Sequence, residues 1–182
     1  MADPEGPEES VRIRRVRESD LLAFRELRLR ALAADPMAFG STYHRESEYE
    51  HARWDDLVRR GAESPTEATW VSEFKDGSFV GMIGAFHAEQ VFHVWGMWVD
   101  PEYRGRGVGG RLLDALLAWV RTADLFAEVR LSVAPTQVPA LRLYRSRGFT
   151  PTGTVELLEH TPGAVACEMV LRSYRSSMPG AP

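Results

Sequence analysis

Residues 98–113 read WVDPEYRGRGVGGRLL. The run leaves an apolar stretch, Val91–Val99, turns at Asp100 and Pro101, passes through Gly105, Gly107, Gly109 and Gly110, and enters a leucine-rich segment. Glycine permits positive φ and lets a ligand approach main-chain N–H groups with no Cβ in the way. The start of a helix leaves N–H groups unpaired at the positive end of the helix dipole, an arrangement that favours phosphate. Arg104, Arg106 and Arg111 add positive charge to the same stretch. A phosphate-bearing ligand is therefore expected at Arg104–Gly110.

The class of ligand is narrowed by what surrounds the glycines. Gly105 and Gly110 have the spacing of a Walker A loop, but Arg111 and Leu112 stand where Lys and Ser/Thr are required, which excludes an ATP-hydrolysing loop. Gly105–Gly110 also matches G-x-G-x-x-G literally, with Glu128 near the spacing of a ribose-binding acid. That fingerprint follows the first strand of a βαβ unit directly, whereas Asp100–Arg104 intervene here and several strands come first. A plain strand-to-helix connection, with no ligand, is the remaining alternative for the loop taken alone.

Working outward, the spacing predicts a first strand at Val11–Val16 and a helix capped by Ser19, with Asp20 in its first turn. Asp35–Pro36 ends that helix. A second helix is expected around Glu46–Arg60, anchored by Tyr49, Trp54, Leu57 and Val58. Asp76–Gly77 between Thr69–Lys75 and Ser78–Phe86 is a hairpin signal. Val91–Val99, almost continuously apolar, reads as a central strand. A helix at Gly109–Thr122, a strand at Glu128–Val133, a short helix at Gln137–Arg147 and closing strands near Thr154–Glu159 and Ala166–Ser173 complete the order β-α-α-β-β-β-α-β-α-β-β. The fold class is mixed α/β with antiparallel hairpins.

With 182 residues the chain suits one domain, expected over residues 11–175, with acidic or Pro/Gly-rich tails at 1–10 and 176–182 expected to be mobile. The hydrophobic fraction of 44% and charged fraction of 26% are those of a globular protein. A formal charge of −4 argues against general polyanion or membrane-surface binding. Cys167, the single cysteine, cannot form an internal disulfide or a multi-cysteine metal site, and no metal is expected. With no long apolar span and no basic, apolar leader, a cytoplasmic location is expected.

About 40 residues after Arg104 stands Pro139-Ala-Leu-Arg-Leu-Tyr-Arg-Ser-Arg-Gly-Phe149. With both motifs in view, the sequence resembles the GNAT superfamily of acyl-CoA-dependent N-acyltransferases. The family's loop [R/Q]-x-x-G-x-[G/A] is met by Arg104, Gly107 and Gly109. Its later signature, A-x-x-L/F-Y-x-x-x-G-F, is met by Ala140, Leu143, Tyr144, Gly148 and Phe149. The resemblance implies a mostly antiparallel central sheet flanked by helices on both faces. It also implies acetyl-CoA as acyl donor, held by main-chain groups of Arg104, Gly105, Arg106, Gly107, Val108, Gly109 and Gly110. The pantetheine arm is expected beside Met97, Trp98 and Val99, where an amide-bearing chain can satisfy a strand edge as a peptide does.

By the same resemblance Tyr144 contacts the cofactor and donates a proton to the leaving sulfur. Gln137 stands where the family usually has Asn, a departure that keeps the amide on a longer arm. An amine with pKa ~10.4 needs a base at neutral pH, and His93 is the one titratable side chain on the central strand. Glu89, Glu128 or water alone compete for that role, and ordinary packing is the alternative for His93. Phe39, Tyr43 and Trp95, with Trp54, Phe92 and Trp98, are candidates for the acceptor wall, although each alone reads more readily as core. His44, Glu46, Glu48 and Glu50 are candidates for holding an ammonium. The activity implied is acetyl transfer to a primary amine of a small molecule or peptide, by direct attack in a ternary complex. A non-catalytic acyl-CoA-binding module is one alternative. A transferase using aminoacyl-tRNA is another, although the basic run Arg12, Arg14, Arg15, Arg17 reads better as a solvated face. No nucleic acid or membrane partner is expected, and pairing of terminal strand edges makes a homodimer conceivable.

Overall fold

The computed structural model describes residues 11–123, 128–158 and 163–172. The tails expected at 1–10 and 176–182 lie outside the described residues. The elements are β1 (Val11–Arg15), α1 (Leu21–Ala34), α2 (Tyr43–Ser47), α3 (His51–Glu63), β2 (Glu67–Phe74), β3 (Phe79–Ala88), β4 (Val91–Val99), α4 (Val108–Thr122), β5 (Glu128–Val133), α5 (Val138–Ser146), β6 (Thr150–Leu157) and β7 (Val165–Arg172). The strands form one seven-stranded sheet in the order β1-β2-β3-β4-β5-β7-β6. Every neighbouring pair is antiparallel except β4 and β5.

The apolar pattern explains the layers. Leu112, Leu113, Leu116, Leu117 and Val120 form one stripe of α4 and pack on Phe92, Val129, Leu131 and Met169 of the sheet. On the opposite face Phe24, Leu27 and Leu32 of α1 join Trp54 and Val58 of α3 against Val71, Met82 and Trp98. Burial of each such side chain contributes about 1.5–3 kcal/mol. The central place of β4 follows from needing both layers: Phe92 meets the α4 side, and Trp98 the α1 side. The β2–β3 hairpin turns at Asp76–Gly77 as expected, with Gly77 at φ +86.

Three local expectations are corrected. Ser19 does not cap α1; residues 18–20 form a single 3-10 turn instead. Its terminal carboxylate, Asp20, takes the Arg17 main-chain N–H at 2.7 Å and the Arg14 guanidinium at 2.6 Å. The helix expected over Glu46–Arg60 is divided into α2 and α3. The Thr42 hydroxyl caps α2, and Glu46 turns inward to Arg28, so the chain breaks before α3 begins. Of the run Arg12, Arg14, Arg15 and Arg17, the first and last are exposed as expected, but the middle two are not. Arg14 is buried between Glu73 and Asp20, and Arg15 donates to the carbonyls of Gly61, Ser64 and Glu67. Among the described residues no helix is long and apolar enough to cross a membrane.

Candidate active site

The site begins with a failure of strand pairing. β4 and β5 pair only from Val91 to His93 against Glu128 to Arg130. On its other side β4 stays joined to β3, but the register slips between Met82 and Gly84, where Gly96 takes φ +67. Such a bulge bends one strand and sharpens its twist. Here it turns the C-terminal half of β4 away from β5, so Val94–Val99 has no β5 ladder partner. Main-chain groups that a sheet would normally use are left facing a wedge.

Three cavities with shared walls follow the wedge across the sheet. One of about 640 Å³ is bounded by Val99, Arg104, Gly107, Gly110, Leu143 and Tyr144, among others. Another of about 80 Å³ lies at the bulge and shares Met97, Gln137, Ala140 and Tyr144 with it. A third of about 430 Å³ shares Trp95, Gly96 and Ser132 with the second and adds Arg28, Phe39 and His93. Side chains alternate along a strand, so Phe92 and Val94 serve the α4 face while His93 and Trp95 serve the other.

The glycine loop has the geometry a phosphate needs. Gly107, at φ +75, is the N-cap of α4, and nothing lies within 4 Å of where a Cβ would stand. The following N–H groups, of Val108, Gly109 and Gly110, open the helix without intrahelical acceptors. The arginines play a different part from the one expected. Arg104 donates from Nε to the Val99 carbonyl at 2.8 Å and from Nη2 to Asp35. Asp35 also accepts the Trp98 indole N–H at 2.7 Å. This strut joins the end of α1 to β4 and the loop. Arg111 donates to the Val11 carbonyl, and Arg106 lies over the Tyr103 ring. The loop therefore offers main-chain donors, with its arginines largely engaged by the protein.

Tyr144 is 5% exposed and borders both the large cavity and the one at the bulge. Burial pushes its phenol well above the ordinary value, with no charge or hydrogen bond opposing the shift. It is a neutral donor throughout the physiological range. Gln137 borders the same two cavities at the head of α5, its side chain making no cap bond. Pro139 sits in the first turn, where no N–H is missed.

His93 borders the third cavity and stacks on Phe86, ring centroids 5.2 Å apart. Phe39 and Trp95 border it too, whereas Tyr43 is half exposed at the start of α2 and borders none of the three. Trp54 and Phe92 are fully enclosed in the two cores. Of the competing bases, Glu128 is bonded to Arg130 and Arg172, which holds its carboxyl low. Glu89 lies in the β3–β4 turn at φ +50. Glu46 does not await an ammonium: it is buried against Arg28. His44 and Glu48 form an exposed pair. Cys167 is half-buried in β7.

Four residues of this site, Asp35, Arg28, Gly96 and Glu168, escaped sequence reasoning. Asp35 looked like a helix terminator and proves to be the strut's centre. Arg28 and Glu46 come from different helices, so their pairing has no local signature. Gly96 gave a weak signal as a glycine inside an apolar strand. Glu168 gave a better one, an isolated acid in the apolar run Val165–Leu171, and it borders the third cavity.

The acetyltransferase (GNAT) family model matches residues 27–149. N-alpha-acetyltransferase RimI of Mycobacterium tuberculosis is 35% identical over 104 residues, covering 55% of this chain and 63% of that protein. The chain spans between 39% and 63% of the lengths of the first three curated relatives it matches. Ribosomal-protein-S5-alanine acetyltransferase from Vibrio fischeri superposes with a TM-score of 0.76 at 15% identity, covering 91% of this chain and 94% of the other. A phosphinothricin acetyltransferase from Sinorhizobium meliloti, solved in complex with AcCoA, gives 0.72 at 16% identity over 90% and 88%. Likeness at that level of identity establishes the shared fold.

Proposed function

Because the chain belongs to the acetyltransferase (GNAT) family, we propose that it transfers an acetyl group from acetyl-CoA to a primary amine of a small molecule or protein. The single observation that carries this reading is the passage through the sheet. It joins a loop of main-chain donors on one side to a polar cavity on the other, with Tyr144 and the unpaired edge of β4 at its narrowest part. Two substrates entering from opposite faces meet there, which suits direct attack in a ternary complex.

The residues fit the donor. N–H groups of Gly105–Gly110 receive the pyrophosphate, aided by the α4 dipole. The edge of β4 at Met97, Trp98 and Val99 receives the pantetheine amides. A main-chain N–H near Trp98 polarises the thioester carbonyl, a role worth about 2.7–4 kcal/mol where measured in acyl transfer. Tyr144 donates its phenolic proton to the departing sulfur. His93, on the acceptor side, takes the proton that the amine must lose before attack. Phe39 and Trp95 wall the acceptor, and Gln137 orients the arm at the head of α5.

Free-thiol release with acetyl-CoA, run against amines, aminoglycosides, amino acids and peptides, tests the proposal. Calorimetry with acetyl-CoA alone accompanies it. Saturable binding with thiol release on one class of amine is the expected outcome. No heat of binding at saturating acetyl-CoA refutes the reading.

A further inference from the structure

Two residues that border the acceptor-side cavity each carry a buried polar atom with no partner. Arg28, on α1, is 6% exposed. Its Nε and Nη2 donate to the Glu46 carboxylate at 2.9 and 2.7 Å, while Nη1 has no hydrogen-bond partner. That Nη1 lies 3.5 Å from where a Cβ would stand on Gly96, the bulge residue at which the passage crosses the sheet. The guanidinium is held between the rings of Phe39 and Trp95, 4.7 and 5.7 Å from their centroids. It cannot swing to solvent without giving up both rings and Glu46. The second orphan is the Ser41 hydroxyl, from the segment between α1 and α2, also buried without a partner. Arg28 and Ser41 border the same cavity as His93. Buried donors are nearly always met, so what fills this cavity brings oxygen to them.

We infer that Arg28 Nη1 and Ser41 Oγ receive a carboxylate of the acceptor, so that the substrate is an amine that also carries a carboxylate. This deepens the transferase reading and rests on it. A carboxylate offers two oxygens to two donors and is matched to a guanidinium edge. The cavity's remaining charges complete the pattern. Glu156 of β6 and Glu168 of β7 border it from the other side of the wedge. Arg130, which also borders the cavity, is bonded to Glu128 at 2.6 Å and lies 3.7 Å from Glu168. The α1 side of the cavity thus offers an unpaired N–H donor, and the β6–β7 side two carboxylates, one of them close to Arg130. An amino acid, ammonium toward the carboxylates and carboxylate toward Arg28, fits both.

The test compares each of a panel of amino acids with its amide and its decarboxylated amine, by thiol release with acetyl-CoA. Wild type is expected to favour the acids by about tenfold or more in kcat/KM. Ser41→Ala should narrow that preference several-fold. Arg28→Lys, which keeps a cation against Glu46, should abolish it by slowing acids more than amides, with KM for acetyl-CoA unchanged. Equal use of acids and amides by wild type overturns the inference. So does a variant that slows acids and amides by one common factor. If no amine releases thiol, the transferase reading fails by itself, and thermal shift with the same panel then decides this one. Stabilisation by acids alone, lost in Ser41→Ala, supports it; no stabilisation by any acid overturns it.

Discussion

Replacing Tyr144 with Phe removes one oxygen from the narrowest part of the passage and leaves the ring in place. General acid catalysis spans about 10²–10⁴-fold, and the structure decides which end applies. Burial raises the phenol's pKa, making it a poorer acid than a free tyrosine, whereas the leaving thiol is near ~8.5. A donor so much weaker than the group it protonates works at the low end of the range. The expected loss in kcat is therefore about 100-fold, or about 2.7 kcal/mol. KM for acetyl-CoA should stay within about threefold, because the loop and the β4 edge hold the donor. Folding should be nearly unaffected, since the hydroxyl makes no hydrogen bond that shifts its titration. The assay is thiol release across pH 6–9 with the acceptor found by screening. Equal turnover in mutant and wild type at every pH removes Tyr144 from the chemistry. A stability experiment checks the burial itself. The folded-state pKa is raised, so Tyr144 contributes no pH dependence below about pH 10, where both states are neutral. As pH climbs beyond that value, the unfolded phenol ionises and the folded one does not, so wild type loses stability that Tyr144→Phe keeps. Parallel melting curves for the two proteins above pH 10 refute the assignment.

Asp35→Ala cuts the strut to Trp98 and Arg104, and should raise KM for acetyl-CoA more than it lowers kcat. Its stability cost, read by urea titration, should be about 1.5–3 kcal/mol per charge-assisted bond lost, at the low end for the exposed Arg104 side. Arg14→Met leaves Asp20 and Glu73 without their shared cation, a loss of about 3 kcal/mol or more by chemical denaturation. In wild type, burial works to raise the Asp20 carboxyl, but bonds from Arg14 and Arg17 outweigh it, and the Arg14 bond lowers Glu73. Depressed folded-state values mean that this stability is present above about pH 4 and is lost as pH falls through the folded values. Acid melts should therefore separate wild type from Arg14→Met at neutral pH and converge at low pH. Gly84→Ala places a Cβ 2.3 Å from the Trp95 ring, so the indole must move. KM for the acceptor should change while KM for acetyl-CoA does not, as steady-state kinetics with each substrate varied will show.

Much of this protein was legible from local pattern, because local pattern has local causes. The glycine loop entering α4, the Asp76–Gly77 turn and the apolar run of β4 each reflect backbone freedom or burial within a few residues. The order of elements followed from them. Arg14 and Arg15 looked like surface charge because their partners, Glu73 and the carbonyls of Gly61, Ser64 and Glu67, lie far along the chain. Ser19 looked like a cap because the stronger competitor, Asp20 paired with Arg14, forms only once β1 and the start of α1 are packed together.

By itself, then, the sequence determined the order of most elements, the glycine-rich entry into α4 and the family, all of which depend on residues close in the chain. Tertiary structure alone decided that β4 parts from β5 beyond His93, that Arg104 is a strut, and that Arg28, Ser41, His93 and Glu168 share one cavity. The reason is physical. A bulge acts only when a neighbouring strand is there to be parted from, and a buried charge acquires its meaning from partners that only folding brings within reach.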